Sequence, residues 1–286
     1  MLADAVRSEA YRFGKNRMAV FWALIFVPVF ALVVSVGMML FTKYKAAQFT
    51  VNGETVSLTP SGEQNLLTGL LDASGDITNP LIFAFLLIGA ATVYAGDYRW
   101  ETFRLITARN ARPNLILGKV ITGLGLTGLA VIGWFIFSVI ADLIQSVIFA
   151  RPLTAAITGE QAGQTLSLTG LGFLRLIQFT MLSLAAAVIT RSLLAALFVP
   201  LVVTIGQFFL KRFMGAVGLT PEDWLAQLLI PGLGYDLIKT VIEGGPPAAQ
   251  VPDNAVLMGL TSLALWTVIP LAAALAWFQR QDLSKE

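Results

Sequence analysis

The 286-residue chain has no cysteine and no histidine. These two absences exclude disulfides, thiolate nucleophiles, haem or zinc ligation and imidazole acid–base chemistry, because no other side chain supplies them. Charge is scarce too: Asp, Glu, Lys and Arg make up 13% of residues against 56% hydrophobic, and mean hydropathy is +0.77. Soluble globular domains carry about a quarter charged residues, so the composition predicts an all-α integral membrane protein. The sequence offers no cluster of carboxylates or thioethers that would hold a metal, and no G-x-x-x-x-G-K-[ST], so a nucleotide-binding P-loop is excluded. A net charge of +2 is too small to point to nucleic acid.

What is present is a set of long apolar runs. A spanning helix needs roughly 20 apolar residues to cross about 30 Å of hydrocarbon. Six segments qualify: 18–41, 77–96, 116–141, 170–190, 192–210 and 254–279, the fourth interrupted by Arg175. The first, Met18 to Phe41, is longer than the apolar region of a signal peptide, about 7–15 residues. No small-residue cleavage site follows it, so it reads as a retained span. An even number of spans puts both termini on one face. That face would collect twelve basic and six acidic residues, and the other seven basic and eleven acidic, which makes the first cytoplasmic by the positive-inside rule.

The connections differ in kind. Residues 42–76 read as a polar outer loop in which Phe49 to Leu58 would pair as a hairpin around Asn52-Gly53. Thr190-Arg191-Ser192 reads as a tight inner turn. Residues 220–248 open on a helix start, with Thr220 as N-cap and Pro221 in the first turn. Their two apolar stretches, split at Pro231-Gly232, are too short to span, which predicts a re-entrant or interfacial pair of outer helices. Residues 1–17 place Val6, Ala10, Phe13 and Met18 among Arg7, Arg12 and Lys15, the pattern of a basic amphipathic helix in the cytoplasmic interface.

Three motifs remain. Gly123, Gly125 and Gly128 match G-x-G-x-x-G. That fingerprint binds dinucleotides only between a strand and a helix. Inside a membrane helix, small residues let neighbours approach, so packing is the expectation. Asp142 and Arg175 are the ionisable residues placed deepest, and an intramembrane charge normally finds a partner, so an Asp142–Arg175 pair is expected. The third is the only substantial cytoplasmic loop, 97–114. Tyr98 to Ala108 has no proline or glycine, Trp100, Phe103 and Ile106 recur at helical spacing, and Glu101 and Arg104 can pair across a turn. Asn110-Ala-Arg-Pro113 then stops the helix.

That loop supplies Asp97, Thr102, Arg104, Leu105-Ile106, Thr107-Ala108-Arg109, Arg112 and Gly118-Lys119. In this order and spacing it resembles the ABC-2 type permeases of bacterial ATP-driven exporters. It departs from them in having Glu101 where glycine is usual, no proline in mid-loop and an interval to Lys119 about one residue short. The whole plan is similar too: a basic N-terminal elbow helix, six spans, one large loop between spans two and three, and outer helices before span six. The resemblance implies a single permease domain over 1–286 in the bacterial inner membrane, working as a dimer, most simply of identical copies. It implies a coupling helix at 97–114 that docks on a separate ATPase, present in two copies and binding the ATP and magnesium. The docking residues would be Tyr98, Arg99, Trp100, Glu101, Thr102, Phe103, Arg104, Leu105, Ile106, Arg109 and Arg112. The chain would hold no cofactor, catalyse nothing alone, and contact only lipid besides its protein partners.

Phe83, Phe85, Gln207 and Phe208 are candidates for the wall of a substrate pathway between the two permeases. An apolar lining favours an amphipathic or hydrophobic cargo such as a peptide, antibiotic or lipid. A self-sufficient channel or secondary transporter is the rival, and it should show internal repeats and mid-span coupling carboxylates. A membrane-embedded enzyme would need a convergent nucleophile, base or metal set, and the acids here sit at span boundaries.

Overall fold

The computed structural model describes residues 2–45, 50–51, 54–55, 60–99, 102–107, 110–245, 248 and 251–282; among residues 50–55, and at Arg99 and Arg104, the description is of the backbone alone. Helix α1 (Leu2–Lys15) leads into the first long helix through Asn16, whose side chain accepts from the Ala19 amide and so caps α2 (Arg17–Val20). A wide π-turn over Phe21–Phe26 joins α2 to α3 (Val27–Lys45). Pro28 cannot donate to the carbonyl of Leu24, and the widened turn absorbs the missing bond. The Leu24 carbonyl faces Gly133, where a Cβ would stand 3.9 Å from it.

Beyond α3, β1 (Thr50–Val51) and β2 (Glu54–Thr55) pair antiparallel, Thr50 opposite Thr55 and Val51 opposite Glu54. The expected hairpin forms; its turn, Asn52-Gly53, lies outside the described residues. Further along this connection, β3 (Gln64–Asn65) is followed by α4 (Leu66–Gly75), capped by the Asn65 side chain. Helix α5 (Pro80–Arg99) is the second span, α6 (Phe103–Thr107) a single short turn, and α7 (Arg112–Phe149) the third span. β4 (Leu153–Thr154) pairs parallel with β3. Then come α8 (Gly159–Thr190), α9 (Leu193–Phe213), α10 (Trp224–Leu229), α11 (Leu233–Glu243) and α12 (Ala255–Arg280).

Six of these helical stretches are long and apolar enough to cross a membrane, which makes this a multi-pass membrane protein. All six expected spans are present, but the third and fourth are much longer than the apolar runs that predict them. With 38 and 32 residues at 1.5 Å each, α7 and α8 reach about 57 and 48 Å, well beyond the hydrocarbon. Asp142 does not end α7, and Arg175 does not interrupt α8; a helix continues past a charge when neighbouring protein covers it. The overhang carries α4, which the Trp134 indole ties to α7 by donating to the Ala73 carbonyl at 3.0 Å. The Lys43 ammonium donates to the Ile148 carbonyl at 2.6 Å and joins the ends of α3 and α7.

Helices α5 and α8 form the protein-facing centre, and α3 and α9 expose most of their length. The turn between α8 and α9 is as tight as expected: Arg191 is left-handed (φ 56°), and Ser192 caps α9 by accepting from the Ala195 amide. Helices α10 and α11 break at Ile230 to Gly232, as predicted. Their start differs. Asp223, not Thr220, is the N-cap residue of α10, and Thr220 donates both its amide and its hydroxyl to the Asp223 carboxylate. The Asp223 carboxylate is thus held by Thr220 and makes no side-chain bond to the amides of α10.

Candidate functional site

Four charged side chains from three helices meet at the end of the bundle where α1 lies and α12 ends. Glu9 and Arg12 lie one turn apart on α1, Asp97 stands near the end of α5, and Lys119 is two turns into α7. The α1–α7 contact is close because Gly118 has no side chain: a Cβ there would meet the Ala5 Cβ at 2.9 Å. The Lys119 ammonium reaches Asp97 at 2.6 Å, Glu9 at 3.2 Å and the Val93 carbonyl at 2.7 Å. Arg12 bridges Glu9 and Asp97 with its two terminal nitrogens. Only 1% of the Lys119 side chain and 2% of Asp97 are exposed. Two cations face two anions, so the group is neutral, which is the condition under which charges tolerate burial.

Outside the spans, burial raises the Glu9 carboxyl above its usual pKa although Lys119 and Arg12 pull it down. For Arg12, burial works against the charge but the two carboxylates outweigh it, and its pKa is raised. The four groups line a cleft of about 230 Å³ whose other walls include Phe13, Asn16, Thr92 and Val93.

The loop after α5 is fastened to this cluster. Thr102 donates its hydroxyl to the Asp97 carboxylate at 2.5 Å and its amide to the Asp97 carbonyl at 3.0 Å. Phe103, fully buried, is wedged between the rings of Tyr98 and Phe278, centroids 4.5 and 4.9 Å away, with the Lys119 ammonium 5.3 Å from its own ring centre. Leu105 points the other way and is 70% exposed. Arg112 donates to the carbonyls of Phe278, Gln279 and Gln281, filling the acceptors at the end of α12. Gln281 in turn accepts from the Tyr98 hydroxyl and donates to the Val188 carbonyl.

Several expectations for this segment need correction. Tyr98 to Ala108 is not one helix, since α5 runs to Arg99 and α6 starts at Phe103. Tyr98 and Phe103 face inward, and Arg112 is bonded to the end of α12, so these three hold the segment in place. Ile106 packs at the margin of the same core. Trp100, Glu101 and Arg109, with the Glu101–Arg104 pair, lie outside the described residues, as do the side chains of Arg99 and Arg104. In α1 the covered positions are Ala5 and Glu9, the latter facing Lys119 of α7, while Ala10, and Met18 in α2, are exposed.

The other named residues fall elsewhere. Asp142 and Arg175 do not pair. Asp142 accepts from the Gln64 amide at 2.9 Å, while Arg175, 8% exposed, donates to the Pro231 carbonyl at 2.7 Å and to Gln178 at 3.1 Å. Its guanidinium also lies 4.5 Å from the Phe179 ring centre and 5.7 Å from that of Tyr235. The break between α10 and α11 brings a bare carbonyl to Arg175, and that satisfies it. Phe83 is buried edge-on against Phe179, and Phe85 stacks on Trp22 between α5 and the first span. Gln207 is buried and Phe208 exposed. Of the three glycines, Gly123 alone is a packing contact, its missing side chain leaving room for the Tyr94 hydroxyl; Gly125 and Gly128 have nothing within 4 Å of a Cβ.

Sequence reading missed Glu9, Arg12 and Lys119 as a unit. The available signal was a lysine well inside an apolar run and an acid–base pair one turn apart just before another. No curated protein matches the chain. The family described as Protein of unknown function (DUF2705) matches residues 26–284, from within the first span to beyond the end of the last, and the chain belongs to it.

Proposed function

We propose that the chain is the membrane subunit of an ATP-driven ABC exporter of the ABC-2 type, worked by a separate ATPase that docks on residues 97–114. The observation that carries this reading is the chain of contacts from α6 to the cluster. The exposed turn bearing Leu105 is bonded through Thr102 to Asp97, and Asp97 is bonded to Lys119 of α7 and Arg12 of α1. A push on α6 therefore reaches the ends of α5 and α7 and the N-terminal helix together. Stiff helices carry such a displacement across the bilayer, as hinge and shear transitions require.

In this reading α1 is the elbow helix, 97–114 the coupling segment, and the end holding both termini is cytoplasmic. Arg104 and Arg109 engage carboxylates of the ATPase. Two permeases and two ATPases make the working unit, and the cargo is amphipathic or hydrophobic. A self-sufficient transporter would need a coupling carboxylate open to the pathway, whereas Asp97 is closed off by two cations. Purifying the tagged chain from its native membrane tests the proposal: a P-loop ATPase should accompany it, and transport driven by an ion gradient with no ATPase present would overturn it.

A further inference from the structure

The outward face of α1 carries charges that the cluster does not use. Because Ala5 and Glu9 turn inward, Arg7, Tyr11 and Lys15, each four residues from the next, stack along the opposite side. All three are exposed, and the Lys15 ammonium lies 5.3 Å from the centre of the Tyr11 ring. Arg17 and Met18 follow, also exposed, and the exposed face continues through Phe21 and Ile25 into the first span. Asp4, one turn from Arg7, leaves the stripe with three cations against one acid. Among the described bases at this end, Arg12 and Lys119 are committed to the cluster, Arg112 to α12, and Arg191 to the Asp282 carbonyl at 3.0 Å, while Arg280 at the end of α12 is exposed.

We propose that this stripe is a binding surface for anionic lipid headgroups. Continuity favours lipid over an acidic protein. Arg17 adjoins Met18, so the cations pass within one turn into a face suited to acyl chains, which sets them at headgroup depth. Tyr11, apolar with a polar tip, suits the same depth. The inner face of this helix carries Glu9 and Arg12, so lipid seated on the outer face holds α1 against α7 and keeps the cluster closed. An anionic leaflet thereby regulates the joint. The inference goes beyond the exporter reading and its test needs no ATPase.

The experiment is thermal unfolding of the purified full chain in neutral detergent with phosphatidylglycerol, phosphatidylcholine or inorganic phosphate added. Phosphatidylglycerol alone should raise the midpoint, and high salt should erase the rise. R7Q/K15Q/R17Q should lose most of it, the charge-keeping R7K/K15R/R17K should retain it, and K43Q at the other end of the bundle should leave it intact. If the glutamine triple does not fold, the three single variants should each lose part of the rise. An equal rise with phosphatidylcholine or phosphate would overturn the proposal, as would a full rise in the glutamine triple or in all three singles. So would a triple that keeps the lipid response but loses a protein partner.

Discussion

The Lys119 ammonium lies 2.6 Å from the Asp97 carboxylate, and both side chains are almost wholly enclosed. Neither could be buried alone at neutral pH, so each is the condition of the other. K119M should destabilise the protein by about 3–5 kcal/mol, and D97N by a similar amount, because each leaves an uncompensated buried charge. The double variant should lose clearly less than the two losses added. Unfolding in detergent measures all three, and strict additivity would show that the pair is not coupled.

Glu9 gives a dependence on pH. Its folded pKa is raised, chiefly by burial, so the folded state holds this proton more tightly than the unfolded chain does. The stability Glu9 contributes is therefore present below about pH 4.5, the ordinary glutamate range, and is lost as pH rises through the folded value. E9Q should match the wild type in acid and equal or exceed its stability at pH 8. An E9Q variant clearly weaker than the wild type at pH 8 would mean that the ionised carboxylate is a net stabiliser.

Gly232 has no room for a side chain, since a Cβ there would fall on the Arg175 guanidinium and the Gln207 carbonyl oxygen. Gly232→Ala should cost about 1–3 kcal/mol by overpacking. Arg175→Met should act locally, leaving Gln178 alone to hold the Pro231 carbonyl at 2.5 Å. Hydrogen exchange over 224–243 should quicken while α5 and α7 keep their protection. Unchanged exchange there would mean that Arg175 does not anchor the break.

How far the sequence could be read follows from what each residue answers to. The spans were legible because hydrocarbon admits only long apolar helices, and the hairpin because Asn-Gly suits a two-residue turn. The extensions of α7 and α8 were not. Gly159 to Thr169 opens on a charged residue, Glu160, and is otherwise polar rather than apolar, and its helix depends on cover from α4 and α11. The Arg175 error has the same origin: its acceptor is a main-chain carbonyl exposed by a break 56 residues away, and such groups leave no mark on side-chain patterns. Phe103 and Leu105 stand two apart in one short helix, and periodicity could not say which would be covered by Phe278 and which left bare. The meeting of Asp97 with Lys119 and Arg12 rests on how α1 lies across two spans, a tertiary fact carried by Ala5 against Gly118.

The central claim is that α6 and its neighbouring arginines receive an ATPase. Co-purification of an ATPase encoded beside this gene, from the wild type and from R104E/R109E with L105D added, tests it most directly, with lipid-supported unfolding as the check on folding. The wild type should bring the ATPase down in equimolar amount, and the folded variant should lose at least nine-tenths of it. A variant that stays folded and retains the ATPase undiminished would contradict the account.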